Sequence, residues 1–211
     1  MEQDLNHPVY SQPVLEFVTV ASEYCIFVEG TANLSKRDFI SKAQKIMSFL
    51  YLKASMLPKL DSVFEDANEK FVTEDHWIFI KNVVQEKIGS HEQFMSVVSE
   101  ETQSSDNIAS VSISEAFADV YQDLKDFIAL YQLGVTENMN DALWECQMNF
   151  EQFWGQRIIS SLSVLHSAFY GNDDLADEEL KKNEEGEKPN TENWLFSKRQ
   201  EDWGYDVPDE L

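Results

Sequence analysis

The amino-acid sequence predicts an all-α protein, a single-domain bundle of about five to seven helices. Three observations carry that expectation. Apolar residues recur at three- and four-residue spacing through most of the first 171 positions, as in helices that bury one face. Turn formers are sparse, with 7 Gly and 5 Pro in 211 residues, too few for the many turns of a sandwich or barrel. Ser followed three residues later by an acid precedes two of the apolar stripes, a helix-start signature.

Residues 1 to about 11 read as a loose lead. A first helix is expected from Pro13 to Gly30, with Leu15, Phe17, Val18, Ala21, Tyr24, Cys25 and Val28 as its stripe. Ser35 and Asp38 form a capping box with Asp in place of Glu. The second helix then runs from Lys36 to about Met56, and Pro58 stops it. Residues 59–72 read as one short helical turn and a loop. Thr73 caps a third helix, with Trp77, Ile80, Val84 and Ile88 inward and Gly89 at its end. A short helical piece is expected around Phe94–Val98, and residues 100–111 read as an exposed polar loop.

Ser112 and Glu115 box the start of a fourth helix, whose stripe holds Phe117, Val120, Tyr121, Leu124, Phe127, Ile128 and Tyr131. Gly134 fits the position just past its end. The fifth and longest helix is expected to be capped near Thr136 and to run to Tyr170, with Gly171 after it. Its stripe includes Leu143, Cys146, Phe150, Phe153, Trp154, Ile158, Leu165 and Phe169. The short connection between these two helices predicts an antiparallel pair.

The domain assignment is 1–171 for the bundle and 172–211 for an acidic, aromatic-containing carboxy-terminal tail. That tail holds 14 acidic and 5 basic residues, −9 of the formal net charge of −23. Residues 177–192 read as disordered or weakly helical. Trp194, Leu195, Phe196, Trp203 and Tyr205 follow, so the tail is expected to dock back on the bundle, with a partner surface as the alternative.

The charge of −23 disfavours phosphate backbones and anionic membrane surfaces, so neither nucleic acid nor membrane is expected as a partner. A protein partner with a basic or apolar surface is compatible with it. No stretch approaches the roughly 18 apolar residues of a membrane span, and no signal peptide is read at the start. Cys25 and Cys146 sit in apolar stripes. Buried free thiols in a reducing cytoplasm are the default reading, and nothing requires a disulfide.

Candidate chemistry centres on the fourth and fifth helices. Asp119, Asp123 and Asp126 share one helix face, and Asp141 and Glu145 stand four residues apart on the next helix. The ordinary reading is a solvated acidic face; the sharper one is a divalent-cation site of facing carboxylates. Arg157 falls inside the apolar stripe among Phe150, Phe153, Trp154 and Ile158. A cation there needs an acid, Asp123 or another on a neighbouring helix, with Trp154 as a stacking surface. The sharper alternative is an anion pocket with Ser160 or Ser161 as donors. Gly155 inside a long helix costs about 1 kcal/mol relative to Ala, which points to a close approach of backbone or ring, or to a kink.

Support for catalysis is thin. The four histidines are scattered, no thiol has a histidine near it in sequence, and His166 reads as a core histidine. There is no Gly-rich phosphate loop, GxSxG, HExxH or zinc-type Cys cluster. No cofactor and no metal ligand set is assigned.

The run DVYQDLKDF, then Gly134, then NDALWECQMNFEQFWGQRI and Leu165–His166 resembles the bacterial family called domain of unknown function 5063. The likeness is strongest over Asp119–His166, extends weakly along the amino-terminal helices, and leaves the tail after Gly171 peripheral. It implies an all-helical fold and, since the family has no assigned activity, no catalytic residues.

The functional expectation is a non-enzymatic cytoplasmic protein-interaction module. The alternative is a small-ligand binder or enzyme with a polar pocket around Arg157, facing acids and a divalent cation. A third reading, an acidic mimic of nucleic acid, would need regularly spaced surface carboxylates. Trp154, Arg157, Asp119, Asp123, Asp126 and Glu145 are the candidate ligand- or partner-binding residues. Oligomeric state has no signature in the sequence.

Overall fold

A computed structural model describes residues 6–89, 92–97 and 108–171. The chain order is α1 (Gln12–Glu29), α2 (Lys36–Ala54), α3 (Glu74–Ile88), strands β1 (Gln93–Val97) and β2 (Ile108–Ser112), α4 (Ile113–Tyr131), α5 (Thr136–Asn149), a π-helical turn (Phe150–Trp154) and α6 (Gly155–Tyr170). Single 3-10 turns at Pro8–Tyr10 and Thr31–Asn33 flank α1. The domain is helical, as its apolar periodicity predicts.

Helix α4 is the centre of the bundle, packed by α1, α3 and α5, while α2 packs on α1 and α6. Twelve of its 19 residues are buried, which is why its stripe is the widest in the sequence. Tyr24 and Phe39 stack toward Phe117, and Phe17 packs on Phe127. The Tyr24 hydroxyl donates to the Phe117 carbonyl at 3.0 Å, so the one polar atom of that ring is satisfied inside the core.

The expected helix starts form. Ser35 Oγ accepts from the Asp38 amide at 3.0 Å, Thr73 Oγ1 from His76 at 3.3 Å and Ser112 Oγ from Glu115 at 3.1 Å. Only the serine half of the Ser112–Glu115 box is made, because the Glu115 carboxylate reaches Lys81 on α3 instead, at 2.6 Å. Gly134 ends the α4–α5 turn at φ +72°, a backbone conformation that side chains resist.

Several expectations are corrected. Phe94–Val97 is a strand and not a helical piece: β1 pairs antiparallel with β2, Gln93 opposite Ser112 and Val97 opposite Ile108. The end of the expected loop, residues 108–111, is therefore strand. Tertiary pairing overrides a short apolar run whose periodicity does not separate the two states. Thr136 does not cap α5; Val135 holds that position, and the Thr136 hydroxyl meets the Tyr10 hydroxyl at 2.9 Å. Leu15 is half-exposed, because Val14, Phe17, Ala21 and Val28 form the buried ridge of α1. His166 is exposed against Tyr170 and is no core residue. The expected docking of residues 172–211 lies outside the described residues.

The long fifth helix is interrupted. At Phe150–Trp154 the backbone makes one π turn, and the Gly155 amide donates to the Phe150 carbonyl five residues back. One extra residue in a turn sets the following helix face back by about 100°. Phe153, expected in the buried stripe, is turned out to 57% exposure, while Trp154 is buried. Gly155 makes this turn fit: a Cβ there would lie 2.5 Å from the Phe150 carbonyl oxygen and 3.0 Å from its ring.

Residues 55–73, between α2 and α3, contain neither helix nor strand. This strap crosses α4 and α5 and is held there largely by carboxylates. Asp141 accepts from the Val63 and Phe64 amides, both at 2.7 Å, and from Ser62 Oγ at 3.2 Å. Asp126 accepts from the Phe71 and Val72 amides at 2.8 and 2.9 Å. Glu145 takes Asn68 Nδ2 at 2.9 Å and Lys70 Nζ at 2.8 Å.

Candidate functional site

The acids of α4 and α5 divide by what the strap covers. Asp126 and Asp141 are 3% and 2% exposed, so the expected solvated face is corrected: these carboxylates are buried anchors for backbone amides. A strap without its own ladder must find acceptors for its N–H groups, and these acids supply them. Burial pushes the Asp141 carboxyl up, but its bonds from Val63, Asn140, Phe64 and Ser62 outweigh that and hold it below the usual range.

The strap stops short of the amino-terminal half of α4. There a solvent-open cleft of about 310 Å³ lies between α4, the end of α5, the π turn and the first turn of α6. Asp119, Gln122, Asp123, Asn149, Phe153, Trp154 and Arg157 line it. Four of the six expected site residues are thus together: Asp119, Asp123, Trp154 and Arg157. The other two, Asp126 and Glu145, border a separate water-sized cavity of about 10 Å³, with Lys70 and the inner side of Asp123.

Arg157 finds its acid in Asp119, an ion pair through Nη1 and Oδ2. The other oxygen of Asp119 accepts from the Trp77 indole Nε1 at 2.9 Å. Asp123 is therefore not the partner of Arg157; it lies one helical turn along α4 and, among the described residues, receives only the Asn149 amide, at 3.2 Å. Trp154 packs its ring on Phe150, centroids 4.8 Å apart, and is not a stacking plate for Arg157. Ser161 is buried with no hydrogen-bond partner among the described residues, as are Trp154 Nε1 and Asp126 Oδ2.

Asp123 is the electrostatic outlier. Burial raises its carboxyl to about 6, against the pull of Lys70 and Asn149 and with a push from Glu145 and Asp126. The ammonium of Lys70 is committed to Glu145, in the place where the sequence allowed a divalent cation. Among the described residues, no group of three or more His, Cys, Asp or Glu side chains is arranged to hold a metal ion. Cys25 and Cys146 are buried free thiols pushed upward by burial, so they stay protonated and unreactive.

Sequence reasoning missed Lys70, Trp77, Gln122 and Asn149. Lys70 and Trp77 reach the site from the strap and α3, with no local signal. Gln122 and Asn149 are ordinary polar helix positions until the π turn opens the groove. The one available sign was Gly155 following Trp154.

The family described as Domain of unknown function (DUF5063) matches residues 8–171. The chain belongs to this family. The DUF5063 domain thus takes in α1 through α6, well beyond the Asp119–His166 run that carries the resemblance, and it ends where the acidic tail begins. Among solved structures, the DUF5063 domain is similar to protein BF1032 from Bacteroides fragilis, known from a crystal structure. The TM-score is 0.70 at 34% identity, and the match covers 80% of this chain and 99% of that one. No curated protein matches the DUF5063 chain.

Proposed function

We propose that this DUF5063 domain is a non-enzymatic recognition module that binds a protein partner through the cleft between α4, α5 and α6. One observation carries the reading: the π turn holds Phe153 57% exposed beside a cleft floored by acids and amides. An exposed aromatic next to desolvated polar groups is the usual make-up of an interaction hot spot. The cleft is open and, among the described residues, its lining holds no nucleophile–base pair, which suits a protruding side chain better than a reaction. Exposed Phe49 and Leu52 on α2, with Met56 just beyond its end, offer an apolar surface elsewhere on the domain. A bacterial cytoplasmic setting agrees with two buried, unpaired cysteines. No helix among the described residues is long and apolar enough to cross a membrane.

A photo-crosslinking amino acid in place of Phe153, in the native cell, tests this. A discrete protein adduct is expected at Phe153 and not when the same group replaces exposed Phe79 on α3. Identical adduct patterns from both positions would sink the reading. A second reading, a small-ligand site at Arg157, is favoured by the cleft volume, which lies at the lower end of the range for such sites. It competes with the carboxylate already seated on that guanidinium. Stabilisation of the purified protein by a small metabolite, lost in Arg157→Gln, would favour it instead.

A further inference from the structure

The cleft has an unbalanced charge. Asp119 and Arg157 neutralise each other, so the remaining full charge on its wall is Asp123. From α4, Asp119 and Asp126 face this carboxyl; from α5, Asn149, Glu145 and the protonated thiol of Cys146; from the strap, Lys70; from α6, Arg157. Both nearby cations are engaged, Lys70 on Glu145 and Arg157 on Asp119. Among the described residues, what touches Asp123 directly is one neutral amide. A carboxylate removed from water with so little compensation favours a cation on its open side.

Two further features narrow what that cation is attached to. Phe153 stands exposed on the cleft wall, and an aromatic face attracts an ammonium or guanidinium and covers its alkyl stem. The cleft also holds unused donors. Arg157 spends one nitrogen on Asp119, and Trp154, 1% exposed and part of the cleft lining, keeps an indole N–H with no partner among the described residues. Donors beside a cation site call for an acceptor oxygen close to the cation. A basic residue within a peptide has both, since the carbonyl oxygens of its own backbone flank the side chain.

We infer that the cleft receives a lysine or arginine side chain presented by a partner peptide, its cation on Asp123, its stem along Phe153 and a flanking carbonyl toward Arg157. This rests on the recognition-module reading and specifies its chemistry. Protonating Asp123 removes the charge the ligand pairs with, so binding weakens as pH falls through about 6.

The test uses the full chain and NMR shifts of the Asn149 and Gln122 side-chain amides. The probes are acetyl-Gly-Arg-Gly-amide, its lysine and citrulline counterparts, and free agmatine. The arginine and lysine peptides are expected to shift both amides at pH 7.5. Binding should fall at least tenfold for the citrulline peptide and for Asp123→Asn, and fall again for wild type at pH 5. Phe153→Ala, at an exposed position, should weaken binding without touching any buried contact. Equal binding of arginine and citrulline peptides, or unchanged binding by Asp123→Asn, overturns the inference. Agmatine binding as tightly as the arginine peptide would keep the cation on Asp123 but overturn the protein-partner reading. The separate outcome, a Phe153 crosslink whose partner binds Asp123→Asn normally, would keep the module and overturn the cation.

Discussion

At the scale of single residues, Gly155 and Asp123 depart most from ordinary helix chemistry. Gly→Ala inside a helix normally stabilises by about 1 kcal/mol. At Gly155 the added Cβ would meet the Phe150 carbonyl oxygen at 2.5 Å, so Gly155→Ala should instead destabilise by about 1–3 kcal/mol in urea titration. Asp123 gives the opposite sign. Its carboxyl sits at about 6 in the folded chain against an ordinary 3.8, so the fold loses stability as pH rises across that window. Asp123→Asn should therefore be more stable than wild type at pH 7 by about 1–2 kcal/mol, with the gain vanishing below pH 4. A residue that weakens its own fold is the expected signature of a position kept for binding. Asp119 behaves more ordinarily. With the pair 38% and 32% exposed, a double-mutant cycle with Arg157 should give about 0.5–1 kcal/mol of coupling.

At the scale of elements, the strap of residues 55–73 depends on acceptors that other elements supply. Asp141→Ala leaves the Val63 and Phe64 amides without partners, and should cost about 1–3 kcal/mol and speed amide exchange over residues 61–64. Because the Asp141 carboxyl is held below its unfolded value, its contribution is present above the ordinary carboxylate range and is lost as pH falls through the folded value. Asp141→Asn should flatten the acid limb of the stability curve. How much was legible divides in the same way. Helices α1 to α4 could be read from Phe17–Val28, Phe39–Leu50, Ile80–Ile88 and Phe117–Leu130, because each stripe and each cap is local. The strap could not, since its partners Asp126 and Asp141 lie on helices far along the chain. The break after Asn149 left one local sign, Gly155; a π turn otherwise changes no residue type, only the phase of the helix beyond it. Arg157 pairs with Asp119 rather than Asp123, and of the expected residues only Asp119, Asp123, Trp154 and Arg157 share the cleft, so part of the site's membership was legible and its arrangement was not.

At the scale of the whole molecule, charge sets the environment in which any partner is met. A net charge of −23 repels itself, and salt screens that repulsion over about 10 Å at 0.1 M. Thermal unfolding should therefore shift upward by several degrees between 10 and 300 mM NaCl, even though the exposed pairs Lys125–Glu29 and Lys81–Glu115 are weakened. The same field speeds the approach of a basic partner, so the on-rate should fall with salt more steeply than the off-rate rises. The strap has a consequence for the order of assembly. Its amides meet Asp126 and Asp141 across sequence separations of 54 to 78 residues, and those acids face it only once α4 and α5 have docked side by side. The α4–α5 hairpin closes on a tight turn at Gly134. A nascent chain emitting α1, α2 and the strap first therefore holds a segment with nowhere to land until its second half arrives. Residues 55–73 should therefore be the first segment to open in native-state amide exchange and the place where a protease finds the domain during synthesis.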